Sequence, residues 1–318
     1  MSNRSILALL CGAAFLLPAA GARAAEPCSM PAPLEQRVCA DPELRKLDGE
    51  LVAKERAVQA ATARPATWAA RAARFRGWIA AERDGDGNPI GKSELVARFE
   101  SRIQELDNEV ARAAAIRPAR TQAAVLGARC LAGWFAMNCT VPASGIVRDG
   151  GLTILYQIQS GSSEQDGIGA GVVLWDASKP GAPRLIGWTF EGVEMKMPQL
   201  NAERGLLWVP GTMIGTGGHN ADILFQKRDD RWVEIDMGSW DDALAARLPK
   251  GVAVNHGVDY YLMGESMGAE TDLWQDADAN CCPTAGRANL GFAIRGDALT
   301  LDTVSAQLGG PKEAWKDL

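Results

Sequence analysis

Val96, Phe99, Ile103, Leu106 and Val110 recur three and four residues apart. From about residue 125 that period gives way to short β-branched and aromatic runs punctuated by Gly, Pro, Asp and Asn. A stripe at helical spacing buries one face of a helix, whereas short punctuated runs suit strands. The chain therefore predicts an α+β protein of two domains. Residues 25–120 form an antiparallel helical mini-domain, and residues 121–318 form an all-β antiparallel domain, a sandwich or a partly open barrel. No other stretch approaches the ~20 unbroken apolar residues of a membrane span.

Within the first part, Asp41 is a good helix N-cap, and Pro42 suits the first turn, where its missing N–H costs nothing. Leu44, Leu47, Leu51 and Val58 follow as one stripe. Pro65 breaks that helix, and Trp68, Ala72, Phe75 and Ile79 mark the next. Such seams fit antiparallel helices packed side by side.

Ahead of the helices, residues 1–24 read as a signal peptide. Arg4 supplies the positive start, Ile6 to Leu17 the short apolar run, and Ala22-Arg23-Ala24 the cleavage pattern. Leu9-Leu10 are not the small residues that lipidation of Cys11 would need. The expected location is periplasmic or secreted. Six cysteines follow the leader: Cys28, Cys39, Cys130, Cys139, Cys281 and Cys282. An even number in an exported chain points to disulfides, although many pairings are open. Cys28–Cys39 and Cys130–Cys139 would each close a short loop. Cys281 and Cys282 pair with each other through a small strained ring, or cross-link to Cys130 or Cys139. With no Cys-x-x-Cys, neither a zinc knuckle nor a thioredoxin-like site is expected.

Several of these residues carry a resemblance. Cys28, Cys39-x-Asp41-Pro42-x-Leu44-x-x-Leu47-Asp48-x-x-Leu51, Arg76-x-Trp78-Ile79 with Arg83-Asp84, and Phe99-x-x-Arg102-Ile103-x-x-Leu106 are similar to the lysozyme-inhibitor LprI-like N-terminal domain family. The resemblance covers about residues 28–110 and implies a small exported helical module held by disulfides. Glu55 stands where that family has an aromatic residue, and the family's second cysteine pair is absent. The implied activity is occlusion of a lysozyme cleft by a non-enzymatic envelope protein.

In the second part, strands are expected near 152–159, 171–175, 184–190, 206–209, 222–227, 231–235, 271–274, 287–295 and 298–304. Turns are expected over residues 227–231 and at Gly296-Asp297, and one short helix from Trp240 to Leu248. VVLWDASKPGAPRLIG resembles one hairpin of a propeller blade, but too few blade-length units fit to close a ring.

Charge is uneven. Residues 25–120 hold 16 basic and 15 acidic side chains, and residues 121–318 hold 15 and 24. The acidic second part disfavours nucleic acid and anionic lipid, and favours a cationic partner such as a lysozyme-like enzyme. The alternative reading is a periplasmic hydrolase, or a module binding cell-wall glycan through Trp175, Trp188, Trp208, Trp232 and Trp274, most of which are nonetheless expected in the core because tryptophan within a strand is normally buried. For a hydrolase, Gly264-Glu-Ser266-Met-Gly268 matches the nucleophile-elbow pattern, which works only as a strand-to-helix turn. The loop GTMIGTGGHNAD at 211–222 offers His219, Asn220 and Asp222 as candidate ligand groups. Asp84-x-Asp86-x-Asn88 and Asp276-x-Asp278-x-Asn280 begin like calcium loops but lack the glycine and the closing acid, so both read as polar turns. No catalytic, cofactor or metal set is expected.

Overall fold

The computed structural model describes residues 34–62, 65–117, 121–131, 137–163, 167–213, 218–310 and 312–318. The expected leader and Cys28 lie outside them. Helix α1 (Leu34–Ala40) precedes the helices α2 (Pro42–Ala61), α3 (Pro65–Ala81) and α4 (Lys92–Ile116), and α5 (Gln122–Val125) follows. Asp41 caps α2 as expected: its carboxylate accepts from the backbone N–H groups of Glu43 at 2.9 Å and Leu44 at 3.2 Å. Such a cap contributes about 1 kcal/mol. Cys39 sits near the end of α1, a helix the sequence pattern did not announce. It is disulfide-bonded, and its expected partner Cys28 lies outside the described residues.

The three expected stripes meet in one cluster that contains Leu44, Leu51, Val58, Trp68, Phe99 and Leu106. Leu47, Phe75, Val96 and Val110 pack at its margin. Glu55 also points inward and is buried. Its two oxygens accept from both terminal nitrogens of Arg76, at 2.9 and 2.6 Å.

The β part begins with sheet A: β1 (Met137–Asp149), β2 (Leu152–Ser163), β3 (Gly167–Asp176) and β4 (Arg184–Gly192), antiparallel and in chain order. The expectations omitted β1, which Pro142 and Gly145 interrupt. It lies at the edge of its sheet, with register irregularities up to Ala143. An edge strand with bulges is where proline is tolerated. The short β5 (Glu194–Met195) pairs with β8 (Gly211–Thr212). Sheet B comprises β6 (Gln199–Asn201), β7 (Leu206–Val209), β9 (Ile223–Arg228) and β10 (Arg231–Ile235). The expected turn between β9 and β10 closes on Asp229 at φ 51°.

After α6 (Asp241–Ala245) comes sheet C: β11 (Val252–Ala253), β12 (Asp259–Tyr261), β13 (Met267–Gln275), β14 (Gly286–Arg295), β15 (Ala298–Leu308) and β16 (Lys316–Asp317). Gly296 and Asp297 turn β14 into β15 as expected. The class is therefore α+β with antiparallel sheets.

The sheets stack in chain order. Ile154, Val172 and Leu174 of sheet A share a cluster with Leu207, Ile223 and Phe225 of sheet B. The alternate residues Leu206, Trp208 and Leu224 join Ala269, Leu290 and Leu299 of sheet C. All four residues of β7 are consequently buried. A period of two with both sets apolar is how a strand enclosed on both faces reads. The expected sandwich or partly open barrel is built from sheets A, B and C packed face to face.

The helices are not a detached module. Ala113, Ile116 and Val125 share a cluster with Leu155, Val173, Trp175 and Trp188 of sheet A. The Trp188 indole also donates to Glu109 at 2.9 Å. Cys130 and Cys139 are bonded at 1.99 Å, tying the segment after α5 to β1. Among the described residues, no helix is long and apolar enough to cross a membrane.

Candidate functional site

The loop at 211–222 is the stem of a hairpin. Met213 N–H donates to the His219 carbonyl at 2.7 Å and Ala221 N–H to that of Gly211 at 2.9 Å; residues 214–217 lie outside the described set. Asn220 works as a backbone surrogate. Its amide donates to the Val258 carbonyl at 2.9 Å, and its oxygen accepts from Val258 N–H at 2.7 Å. Asp222 accepts from Trp208 Nε1 at 2.7 Å and from Asn220 at 2.9 Å. Burial pushes the Asp222 carboxyl above its ordinary value, against the pull of those donors.

This clamp draws in the segment that carries the chain's other histidine. Gly257 N–H donates to the Gly218 carbonyl at 3.0 Å. A Cβ on Gly257 would lie 2.4 Å from that same oxygen, so only glycine fits there. His219 and His256 are thereby set with ring centroids 6.0 Å apart. His256 Nε2 is 2.6 Å from the Asn280 carbonyl. A carbonyl only accepts, so Nε2 is the donor in this contact. The Trp274 edge holds the His256 ring, at a centroid separation of 4.4 Å.

The two histidines form a wall of a cleft of about 690 Å³. Its floor includes Ile235, Leu244, Leu248 and Val258. Thr67, Arg71 and Arg74 of α3 roof it. Arg71 is paired with Glu191 and Arg74 with Asp236, so both guanidiniums are already committed. Asp241 and Asp242 line the cleft from α6. Burial, followed by repulsion from Asp242 and Asp236, raises the Asp241 carboxyl. Burial also raises the Tyr260 phenol, whose oxygen accepts from Trp240 Nε1 at 3.0 Å. Beyond the histidine wall lies a second cavity of about 390 Å³, lined by Asp259, Glu270, Asp272, Trp274 and Cys281. His219, Asn220, His256, Gly257 and Val258 line both.

Of the three loop residues picked out in the sequence, His219 is exposed at the cleft, whereas Asn220 and Asp222 position it. His256, the second of the chain's two histidines, was not among the candidates; its setting in an Asn-His-Gly stretch was the signal that could have found it. The Gly-x-Ser-x-Gly pattern is a glycine-rich turn and not a nucleophile elbow. Gly264 to Gly268 spans a hairpin turn between β12 and β13, with Tyr261 opposite Gly268, and leads into no helix. Arg204 braces that turn through the Leu262 and Gly264 carbonyls. Ser266 lines another cavity, which contains neither histidine, and no hydrogen bond joins it to His219 or His256 among the described residues.

The five tryptophans offered for a glycan surface are mostly core residues, as tryptophans within strands normally are. Trp175, Trp188, Trp208 and Trp274 are buried, and half-buried Trp232 donates to Asp176. Asp84 spends its carboxylate on the N–H groups of Asp86 and Asn88, and Asp278 on those of Gln275 and Thr284, so both acidic loops are polar turns. The Cys281 and Cys282 sulfurs face each other at 2.5 Å rather than reaching Cys130 or Cys139. Among the described residues, no three His, Cys, Asp or Glu side chains gather as a metal set. Compared with family models, curated proteins and solved structures, the chain finds no match.

Proposed function

We propose that the protein is a non-enzymatic binding protein of the cell envelope, with the cleft between α3, α6 and the histidine wall as its recognition site. The observation that carries this reading is the cleft itself. It is large enough for a drug-sized ligand, apolar at its floor, and rimmed by polar groups from three separate segments. Its hydrogen bonds position His219 and His256 against each other, and among the described residues none joins either ring to a serine, threonine or cysteine side chain.

A thermal-shift panel of amines, sugars and short peptides, run on the protein and on Ala245→Trp, tests the site. Ala245 is exposed on α6 and lines the cleft, so the indole fills its mouth. At least one compound should raise Tm in the parent and lose that effect in the variant. Equal shifts in both would remove the cleft from consideration. A fluorophosphonate probe should leave Ser266 unlabelled, and stoichiometric labelling would reinstate an enzyme.

A second reading concerns the helical face. Trp78 is 49% exposed and lies 5.4 Å from the Arg98 guanidinium. An exposed tryptophan is a fitting anchor for a protein partner. Occlusion of a cationic lysozyme-like enzyme would use it, and Trp78→Ala should then abolish inhibition in a lysozyme panel. No inhibition by the parent protein at micromolar concentration would eliminate this reading.

A further inference from the structure

We propose that the Cys281–Cys282 disulfide is a redox-responsive latch on the histidine wall: reduction by a thiol releases His256 and weakens what the cleft holds. Only the effect on the cleft rests on its being the recognition site; the latch itself is a property of the loop. Cys281 and Cys282 are bonded to each other, and both are exposed. A cross-link between chain neighbours closes no loop of the unfolded chain, so it adds almost nothing to global stability. Its effect is local, drawing the peptide between the two residues into a small ring. Cys130–Cys139, half-buried, instead ties a separate segment to β1. Exposed disulfides are the ones that thiols reach. A thiolate of the reductant, a small-molecule thiol or a protein dithiol, bonds to one sulfur and expels the other as a thiolate, which takes a proton. A second thiol then displaces the first, leaving two thiols on the protein and the reductant as its own disulfide.

The ring sits in a loop clamped at its base. The Asp278 carboxylate accepts from Gln275 N–H and Thr284 N–H, both at 2.8 Å, and from the Thr284 hydroxyl at 2.7 Å. Pro283 fixes its own φ just after the ring. Between these clamps, Cys282 N–H closes a turn on the Ala279 carbonyl at 2.9 Å. Asn280 and Cys281 are the residues inside that turn. The Asn280 carbonyl is the atom that holds the wall: it accepts from His256 Nε2 at 2.6 Å and from Trp274 Nε1 at 3.3 Å. The disulfide therefore lies one residue from the anchor of His256, and Cys281 and His256 line the same cavity. Oxidised, the ring fixes the turn. Opened, Cys281 and Cys282 regain rotation about their backbone and side-chain bonds. The clamps leave residues 279–282 to absorb that freedom, so the Asn280 carbonyl is no longer held against His256.

Graded reduced glutathione, trapping with iodoacetamide and peptide mass spectrometry of the full chain test the latch. Cys281 and Cys282 should become alkylated together while Cys130–Cys139 stays closed. Alkylation of the pair without reductant, or earlier opening of Cys130–Cys139, would overturn the proposal. The chain holds two histidines, so their ring signals can be followed by NMR and assigned with His219→Gln. On selective reduction the His256 signal should move further than that of His219. Cys281→Ser/Cys282→Ser should show the reduced position from the start and ignore glutathione. A His256 signal that reduction leaves in place would overturn the proposal as well. The compound that loses its thermal shift in Ala245→Trp should bind the reduced protein about three- to tenfold more weakly, the effect of losing one positioning hydrogen bond. If His256 responds but no compound binds the parent, the reading of the cleft falls and the latch stands. If a compound binds both redox forms equally, the cleft stands and the latch's control of it falls.

Discussion

Asp176, at the end of β3, and Asp241, on α6, occupy opposite kinds of surroundings. Asp176 is buried and surrounded by donors: Ser178 N–H at 2.9 Å, Lys227 at 2.9 Å, Trp232 Nε1 at 3.0 Å and Arg184 at 3.5 Å. Burial opposes its charge, and those donors overcome it, holding the carboxyl well below the usual range. Among the described residues Asp241 has no such ring of donors, and burial and two neighbouring carboxylates push it up against the pull of Arg74. A polar group satisfied on every side is explained by the fold that holds it. One set among like charges, beside a cleft, asks for something the chain does not provide. The contrast separates the molecule's internal fastenings from its candidate recognition surface.

The largest effect should come from breaking a fastening on one side only. Glu55→Leu strands Arg76 and should cost about 3–5 kcal/mol in urea unfolding. Adding Arg76→Met should recover a substantial part; a double variant as unstable as the single one would show that the pair is not an isolated unit. Asp176→Asn removes charge from four cationic or N–H partners and should cost about 1.5–3 kcal/mol.

Its pH dependence is diagnostic. A depressed carboxyl stabilises the fold above its ordinary value of about 3.9, and that contribution is lost as pH falls toward the lowered folded value. The gap between parent and Asp176→Asn should therefore close below about pH 4. Asp241 has the opposite sign. Its raised carboxyl favours the fold below the ordinary value, and this is lost as pH rises through the folded value. Asp241→Asn should stay within about 0.5 kcal/mol of the parent at neutral pH, shifting in favour of the variant as pH rises from about 3 to 6. A loss of stability comparable to that of Asp176→Asn would erase the contrast. Smallest of all, Ser266→Ala should change neither ligand binding nor stability beyond about 0.5 kcal/mol, since its hydroxyl stands on an exposed turn.

The helices were legible because their signal is local. Asp41-Pro42 and the leucine stripe fix start and face within one element, and the cap and cluster follow. Strands such as β7, β9 and β10 were legible for the same reason. What escaped depended on partners distant in sequence. Strand β1 looks broken at Pro142 until its edge position is known. Asp176 resembles any turn aspartate until Lys227 and Trp232 are brought to it. The cleft drew one part of itself, His219 and its two neighbours, from a glycine-rich loop that composition flags. Its other walls come from α3, α6 and the His256 segment, which only the stacking of layers brings together.

That stacking has a consequence for how the chain assembles. Each layer docks on the one preceding it in sequence: sheet A on the end of α4, sheet B on sheet A, sheet C on sheet B. A polypeptide emerging amino-terminus first can add its layers one at a time, each finding its template already in place. Until the last arrives, however, the growing end always presents an oily face, and Leu206, Trp208 and Leu224 are the final such surface to be covered. Interrupting synthesis just after Ile235 should leave a sticky intermediate, not a smaller working protein.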